Sequence, residues 1–392
     1  MKKTTALMAG ALLMAGASFA QNRAIKFETG TFSEVLAKAK KENKPIFMDA
    51  YTTWCGPCIW MDKNIFTNDT VADFYNQNFI AYKSDMEKGE GVELAKRYQV
   101  QAYPSLLYID GDGNILHRSI GARQAAGLVS LGKDALNPEV RWSTYQKRYN
   151  AGERNPEFMA KYLTMKGEIA LDISNELEEY FATQKDQELA LRRNWKLIYY
   201  FASSSESAFF QRFVKNRSSF VSIFTPDSVD QVILGVYERD LQAALYQENA
   251  EKQKQLKTDL EKLKVKDGNR VIWYAETKAF DKSGDLKNYC LTACKLVDSY
   301  YINDPAMLNK FAWRFYEKIN DKAMLQKAEG WARRAAEIKP EYAVLDTHAA
   351  VLYKLGKKKD AKLAAEKAIA TGKQSGEDVK ETEALLKKIN SL

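Results

Sequence analysis

The segment Trp54-Cys55-Gly56-Pro57-Cys58 constrains this chain more than any other. It stands between two patterns of different character. Ahead of it, Lys44-Pro45-Ile46-Phe47-Met48-Asp49-Ala50-Tyr51 reads as a short buried strand. Behind it, Ile59 to Phe79 reads as helix, interrupted near Thr67-Asn68-Asp69. A CxxC that leaves a strand and opens a helix is a redox pair rather than half of a metal site. The helix N-terminus favours negative charge on the first sulfur, and the thiolate is the nucleophile in thiol–disulfide exchange.

Around this segment, from about Phe27 to Leu131, helical and strand patterns alternate. Phe32 to Lys40 is amphipathic and predicts a helix with Ser33 as N-cap. Phe79 to Lys83 predicts a second central strand, Val92 to Tyr98 a helix, and Pro104 to Ile109 a third strand. Asp110-Gly111-Asp112-Gly113-Asn114 then turns the chain into Ile115-Leu116-His117-Arg118. A βαβ unit followed by a hairpin implies a mixed sheet flanked by helices, an α/β domain.

From about Asn137 to Leu392 the strand signals vanish and helical spacing persists. Polar turns interrupt it at residues 151–156, 225–227, 266–269, 282–285 and 303–305. Such a pattern predicts stacked helical hairpins. Ala328 and Ala335 recur 33 residues later as Ala361 and Ala368, with Pro340 between them and Tyr353, Leu355 and Gly356 ahead of the second pair. This resembles the tetratricopeptide (TPR) pattern over about residues 309–372. The organisation expected is therefore a leader at 1–20, an α/β domain at 21–136 and an all-α, TPR-like domain at 137–392.

The leader is read from Lys2 and Lys3, the apolar run Ala6 to Ala17, and the small residues Ser18-Phe19-Ala20. It predicts a cleaved signal peptide and an exported, periplasmic protein. No later stretch is long and apolar enough to predict stable membrane insertion. The formal net charge of +8 includes Lys2 and Lys3, and the remaining Lys and Arg are spread beside Glu and Asp. That distribution describes a solvated helical surface and not a nucleic-acid interface. The four cysteines, Cys55, Cys58, Cys290 and Cys294, are too few to be the main scaffold. Cys290 and Cys294 lie four apart on a predicted helix, where buried small residues at a helix crossing are expected, a second redox pair being the alternative. No second CxxC and no paired histidine accompany Cys55 and Cys58, only His117 and His348, so neither metal nor cofactor is expected.

Several separated positions make residues 27–131 resemble a thioredoxin-fold domain. Asp49 lies six residues before Cys55, where thioredoxins keep a buried acid, and Lys83 matches the lysine beside it. Tyr103-Pro104 matches the residue and cis-proline that face the active site, and Gly121-Ala122 the glycine near the last strand. Cys58-Ile59-Trp60-Met61 and Ile65-Phe66-Thr67 match a subgroup of that family. Lys63 departs from it, standing where thioredoxins place a proline, which puts the kink of the active-site helix in question.

The resemblance implies roles. Cys55 is the exposed nucleophile, and Cys58, one turn in and more buried, resolves the mixed disulfide. Asp49, tuned by Lys83, accepts the proton of Cys58. Trp54, Tyr103 and Pro104 receive an extended substrate segment, Pro104 through a cis bond that exposes the backbone of Tyr103. Gly56 and Pro57 keep the active-site turn tight and, by the same resemblance, favour a reductant.

The function expected is an exported thiol–disulfide oxidoreductase that reduces disulfides of envelope proteins. An exported dithiol needs an electron supply, so a membrane thiol reductase is the implied partner. Two alternatives belong to other classes: a protein-binding helical-repeat module with an accessory thioredoxin domain, and a disulfide oxidase or isomerase.

Overall fold

The structure, a computed structural model, describes residues 23–391. The leader expected at 1–20 lies outside the described residues. Two compact units are present, one formed by residues 23–185 with 191–197, the other by 186–190 with 198–391.

The first unit is built on five strands: β1 (Phe27–Glu28), β2 (Ile46–Tyr51), β3 (Ile80–Asp85), β4 (Ser105–Ile109) and β5 (Ile115–Ile120). Their order is β1-β3-β2-β4-β5, parallel from β1 to β2 and antiparallel beyond it. Side chains of a strand alternate between the two faces. Ile46, Met48 and Ala50 therefore join α1 (Phe32–Glu42) and α4 (Gly91–Arg97) in one core, with Phe32, Val35 and Leu94. Phe47 points the other way, into a core with Met61 of α2 (Gly56–Asn64), Val71 and Tyr75 of α3 (Asp69–Asn78), and Leu128 of α5 (Ala125–Leu136). Asp49 shares the face of Phe47, which is the face covered by α2.

The mixed sheet flanked by helices is the α/β architecture expected, and the break between α2 and α3 falls at Ile65–Asn68. Two local details differ from expectation. The N-cap of α1 is Thr31, not Ser33: Thr31 and Glu34 form a capping box, each accepting from the other's backbone N–H. The strand expected at Phe79–Lys83 runs from Ile80 to Asp85, which brings Lys83 and Asp85 into register with Asp49 and Tyr51.

The compact unit that holds the sheet also includes helices beyond residue 136. Trp142, at the start of α6 (Trp142–Asn150), donates its backbone N–H to Nδ1 of His117 on β5 at 3.0 Å. Burial pushes the His117 imidazole down to about 4, so it stays neutral and able to accept. Tyr162 of α7 (Pro156–Glu168) then stacks on Trp142 and Tyr149 at 5.6 and 4.3 Å. These contacts attach α6 and α7 to the sheet, and α8 (Ser174–Thr183) and the first part of α9 (Arg192–Phe201) belong to the same unit. They join residues distant in sequence, which a local change of periodicity does not report.

The second unit is helical throughout: α10 (Ala208–Lys215), α11 (Arg217–Val221), α12 (Pro226–Tyr246), α13 (Ala250–Leu263), α14 (Gly268–Ser283), α15 (Leu286–Leu296), α16 (Pro305–Lys318), α17 (Lys322–Ile338), α18 (Tyr342–Lys354), α19 (Lys358–Ser375) and α20 (Lys380–Ser391). A π-helical turn, Val297–Tyr301, extends α15. Side-chain caps from Thr225, Asn249, Asp285, Asp304 and Asp321 start five of these helices. The alanines of the 33-residue repeat, Ala328, Ala335, Ala361 and Ala368, are fully buried. Small side chains at these places let successive helices approach closely, an arrangement compatible with TPR-like hairpins.

Candidate active site

Between β2 and α2 the chain makes the turn that carries Trp54 to Cys58. Cys55 is the N-cap of α2, and its backbone N–H donates to the Thr52 carbonyl at 3.3 Å. Gly56 and Pro57 occupy the first two helical positions, where the missing N–H of proline costs nothing. Cys55 and Cys58 are joined in a disulfide. The Cys55 Sγ also accepts the N–H of Cys58 at 3.1 Å, so a backbone donor of the first turn points at the reactive sulfur. The same donor would favour a thiolate there after reduction.

One expectation is corrected here. Cys55 is not more exposed than Cys58; each is 4% accessible. In the disulfide the Cys55 sulfur folds back over the first turn of α2, where it serves as the cap. Positions along a helix do not reveal that inward turn. Lys63, in the place of the family proline, lies in the last turn of α2 one residue before its end.

Beneath this helix, the parallel register pairs Asp49 with Lys83, so the two side chains lie on one face of adjacent strands. Asp49 is 1% exposed. Its Oδ2 is 3.9 Å from Lys83 Nζ, and its Oδ1 has no hydrogen-bond partner. Burial pushes its carboxyl up to about 7; the Lys83 ammonium pulls it down, and the Asp62 carboxylate raises it slightly. The buried Thr52 hydroxyl in the turn is likewise without a partner.

Asp62 is the residue that sequence reading missed. It lies one turn beyond Cys58 on α2 and accepts a short hydrogen bond from Lys83 Nζ. Lys83 is thus shared between a surface carboxylate and a buried one. Its ammonium also lies 5.3, 5.1 and 5.5 Å from the ring centres of Phe27, Tyr51 and Phe66, an aromatic surround that holds the cation in place. The i, i+4 spacing from Cys58 was the available signal for Asp62, but the register of β3 is needed to see which lysine it meets.

Trp54 and Tyr103 form the rim. Their rings meet edge-on at 6.0 Å, and Trp54 remains 67% exposed. The indole N–H donates to Glu87 Oε2 at 2.9 Å, a second partner absent from the sequence reading. Tyr103–Pro104 is a cis peptide, as the resemblance implied. The Pro104 carbonyl accepts the N–H of Gly121, whose φ of 87° is a conformation glycine adopts without strain. The structure therefore brings Cys55, Gly56, Pro57, Cys58, Asp49 and Lys83 together around α2, with Trp54, Tyr103 and Pro104 on the loops beside it.

A disulfide-bonded CxxC at a helix N-terminus, on a mixed sheet with a buried acid below, defines a thioredoxin-type fold and site. A family model described as a thioredoxin-like domain matches residues 32–136. The chain is 34% identical over 106 residues to a thioredoxin-like protein of Synechocystis, covering 27% of this chain and 92% of that one. It is also 34% identical over 106 residues to the chloroplastic thioredoxin Y of rice (Oryza sativa), covering 27% of this chain and 60% of the relative. A solution structure from Bacteroides thetaiotaomicron, provisionally named a disulphide-isomerase, shares 45% identity over 30% of this chain and 98% of its own, with a TM-score of 0.28. The chain belongs to the thioredoxin-like family through its first unit. Among the described residues no helix is long and apolar enough to cross a membrane.

Proposed function

We propose that this protein is an exported thiol–disulfide oxidoreductase that reduces disulfides of envelope proteins by cycling Cys55 and Cys58 between dithiol and disulfide. The observation that carries this reading is the Cys55–Cys58 disulfide at the N-terminus of α2, on the sheet face that also holds the buried, half-unpartnered Asp49.

In the reduced protein the Cys55 thiolate attacks one sulfur of the client disulfide. A Cys55–client mixed disulfide forms, and the client's other sulfur leaves as a thiolate that takes a proton from water. The Cys58 thiol gives its proton to the Asp49 carboxylate, attacks the Cys55 sulfur and expels the second client thiolate. The client disulfide gains two electrons, and the Cys55–Cys58 pair loses them. A carboxyl titrating at about 7 is well placed for this exchange, since it is partly ionised at neutral pH. Lys83 holds the Asp49 charge in range, and Trp54, Tyr103 and Pro104 receive the client backbone. A membrane thiol reductase returns the two electrons, and the helical unit selects the clients presented to Cys55.

The test is reduction of insulin with dithiothreitol as electron source. The wild type accelerates precipitation of the insulin chains and Cys55→Ser does not. An unchanged rate in that variant removes the proposal. The reduction potential of the Cys55–Cys58 couple decides its direction, and a strongly oxidising value would assign the protein to disulfide formation instead.

A further inference from the structure

The first unit contains a cavity of about 790 Å³ to which neither the Trp54–Cys58 turn nor α2 contributes. Part of its lining is β5 at His117 to Ser119. Gly127, Leu131 and Asp134 of α5 line it as well, and so do Glu157, Lys161, Thr164 and Glu168 of α7. Residues three and four apart share one side of a helix, so each set is a single helix face. The start of α9 adds Arg192, Arg193 and Lys196. A cavity of this size holds a small organic molecule.

Its charges do not balance. Arg193 donates to Glu157 at 2.6 Å and Lys196 to Glu168 at 3.0 Å, so these four groups neutralise one another in pairs. Arg118 is engaged by the Tyr98 and Gln99 carbonyls. Arg123 is held by neutral acceptors, the Ser119 hydroxyl at 2.6 Å and the Ala122 carbonyl at 3.3 Å. Among the described residues no carboxylate pairs with Arg123, Lys161 or Arg192. Three cations therefore face the cavity against one further carboxylate, Asp134.

His117 supplies a donor from the sheet. The residue is 6% exposed and lines the cavity. Its Nδ1 accepts the Trp142 backbone N–H, so the hydrogen of the neutral ring sits on Nε2. That N–H, on the side of the ring turned away from α6, has no acceptor among the described residues. A polar group so deeply placed is ordinarily satisfied. The Asp134 carboxylate acts on the same imidazole from α5, so a donor and an acceptor stand together here.

We propose that this cavity binds a small organic phosphomonoester. Its head meets Arg123, Lys161 and Arg192, and an uncharged hydroxyl or amide group of its body meets His117 and Asp134. Near neutral pH a phosphomonoester carries close to two negative charges and three acceptor oxygens. That matches three cations set against one carboxylate, and guanidinium groups fit phosphate through paired N–H donors. Asp134 repels a second anionic group, whereas a hydroxyl or amide accepts from Nε2–H and donates to the carboxylate. Leu131, Met165 and Ile169 cover the apolar part of the body. A nucleoside monophosphate has all of these parts.

The experiment is calorimetric titration of the full chain, in its disulfide form, with adenosine 5′-monophosphate. The result expected is one molecule bound per chain, more weakly at high salt. Adenosine, inorganic phosphate and phenyl phosphate each lack one part, and each binds at least about 10-fold more weakly. Lys161 and Arg192 are exposed, so Lys161→Met and Arg192→Met keep the fold by circular dichroism. Each weakens binding by about 10- to 100-fold. The chain has only 2 histidines, and the Nε2–H resonance of His117 shifts when the nucleotide binds. No binding to the wild type overturns the proposal, as does equal binding to the wild type and both folded variants. Inorganic phosphate or phenyl phosphate held as tightly as the nucleotide overturns the assignment of the ligand. A His117 resonance that stands still during binding overturns the site.

Discussion

Lys83→Met is the most direct test of how the buried acid is controlled. Methionine keeps the apolar stem among Phe27, Tyr51 and Phe66 and removes only the charge. In the wild type Lys83 Nζ is 3.9 Å from Asp49 Oδ2. Unit charges at that separation interact by about 4 kcal/mol at an effective dielectric constant of about 20, equivalent to about 3 pH units in a titration. Because Lys83 is shared with Asp62, that figure is a ceiling. Losing the ammonium leaves burial and the Asp62 charge acting on Asp49, and both favour the protonated form. The midpoint of Asp49 therefore rises from about 7 by about 1 to 3 pH units.

The assay is carbon-13 NMR of the Asp49 carboxyl in the disulfide form, titrated from about pH 5 to about pH 11. Asp62→Asn is the control of opposite sign, since it frees Lys83 for Asp49 and lowers the midpoint. If Asp49 takes the proton of Cys58, the alkaline shift in Lys83→Met also moves the pH–rate profile of insulin reduction by the same amount. A midpoint that stays or falls in Lys83→Met refutes the electrostatic account. A midpoint that rises while the rate profile stands still refutes Asp49 as the proton acceptor.

Asp49→Asn probes stability through the same group. The folded protein holds the Asp49 proton up to about pH 7, whereas an unfolded chain loses it near pH 4. Between those values the folded state binds the extra proton, so raising the pH destabilises the wild type, by about 4 kcal/mol in all. Asp49→Asn removes that slope and is the more stable protein at pH 8; urea unfolding at pH 5 and pH 8 measures it, and equal slopes would contradict it. Trp54→Ala removes a side chain that is 67% exposed, so unfolding free energy changes by less than about 0.5 kcal/mol. The KM for insulin rises in the same variant, and an unchanged KM would take Trp54 out of the client-binding rim.

The fold was legible wherever its cause is local. The short, largely apolar run Ile46 to Tyr51, the turn at Asp110 to Asn114 and the helical spacing after residue 137 all follow from short-range patterning and turn chemistry. Asp49 and Lys83 were found only through the family resemblance, because a buried carboxylate and an exposed one look alike in sequence. The cap of α1 was misplaced by two residues, since Thr31 competes with Ser33 and only the reciprocal bond of Glu34 decides between them.

By itself, then, the sequence determined a two-cysteine turn between a strand and a helix, in an α/β unit followed by helices. Those features depend on neighbours within a few residues. Tertiary structure alone decided that Lys83 is divided between Asp49 and Asp62, and that Glu87 holds the indole of Trp54. It also decided that Cys55 turns inward, and that His117 ties α6 to the sheet. Each of these joins residues whose meeting depends on strand register and on how helices pack over the sheet.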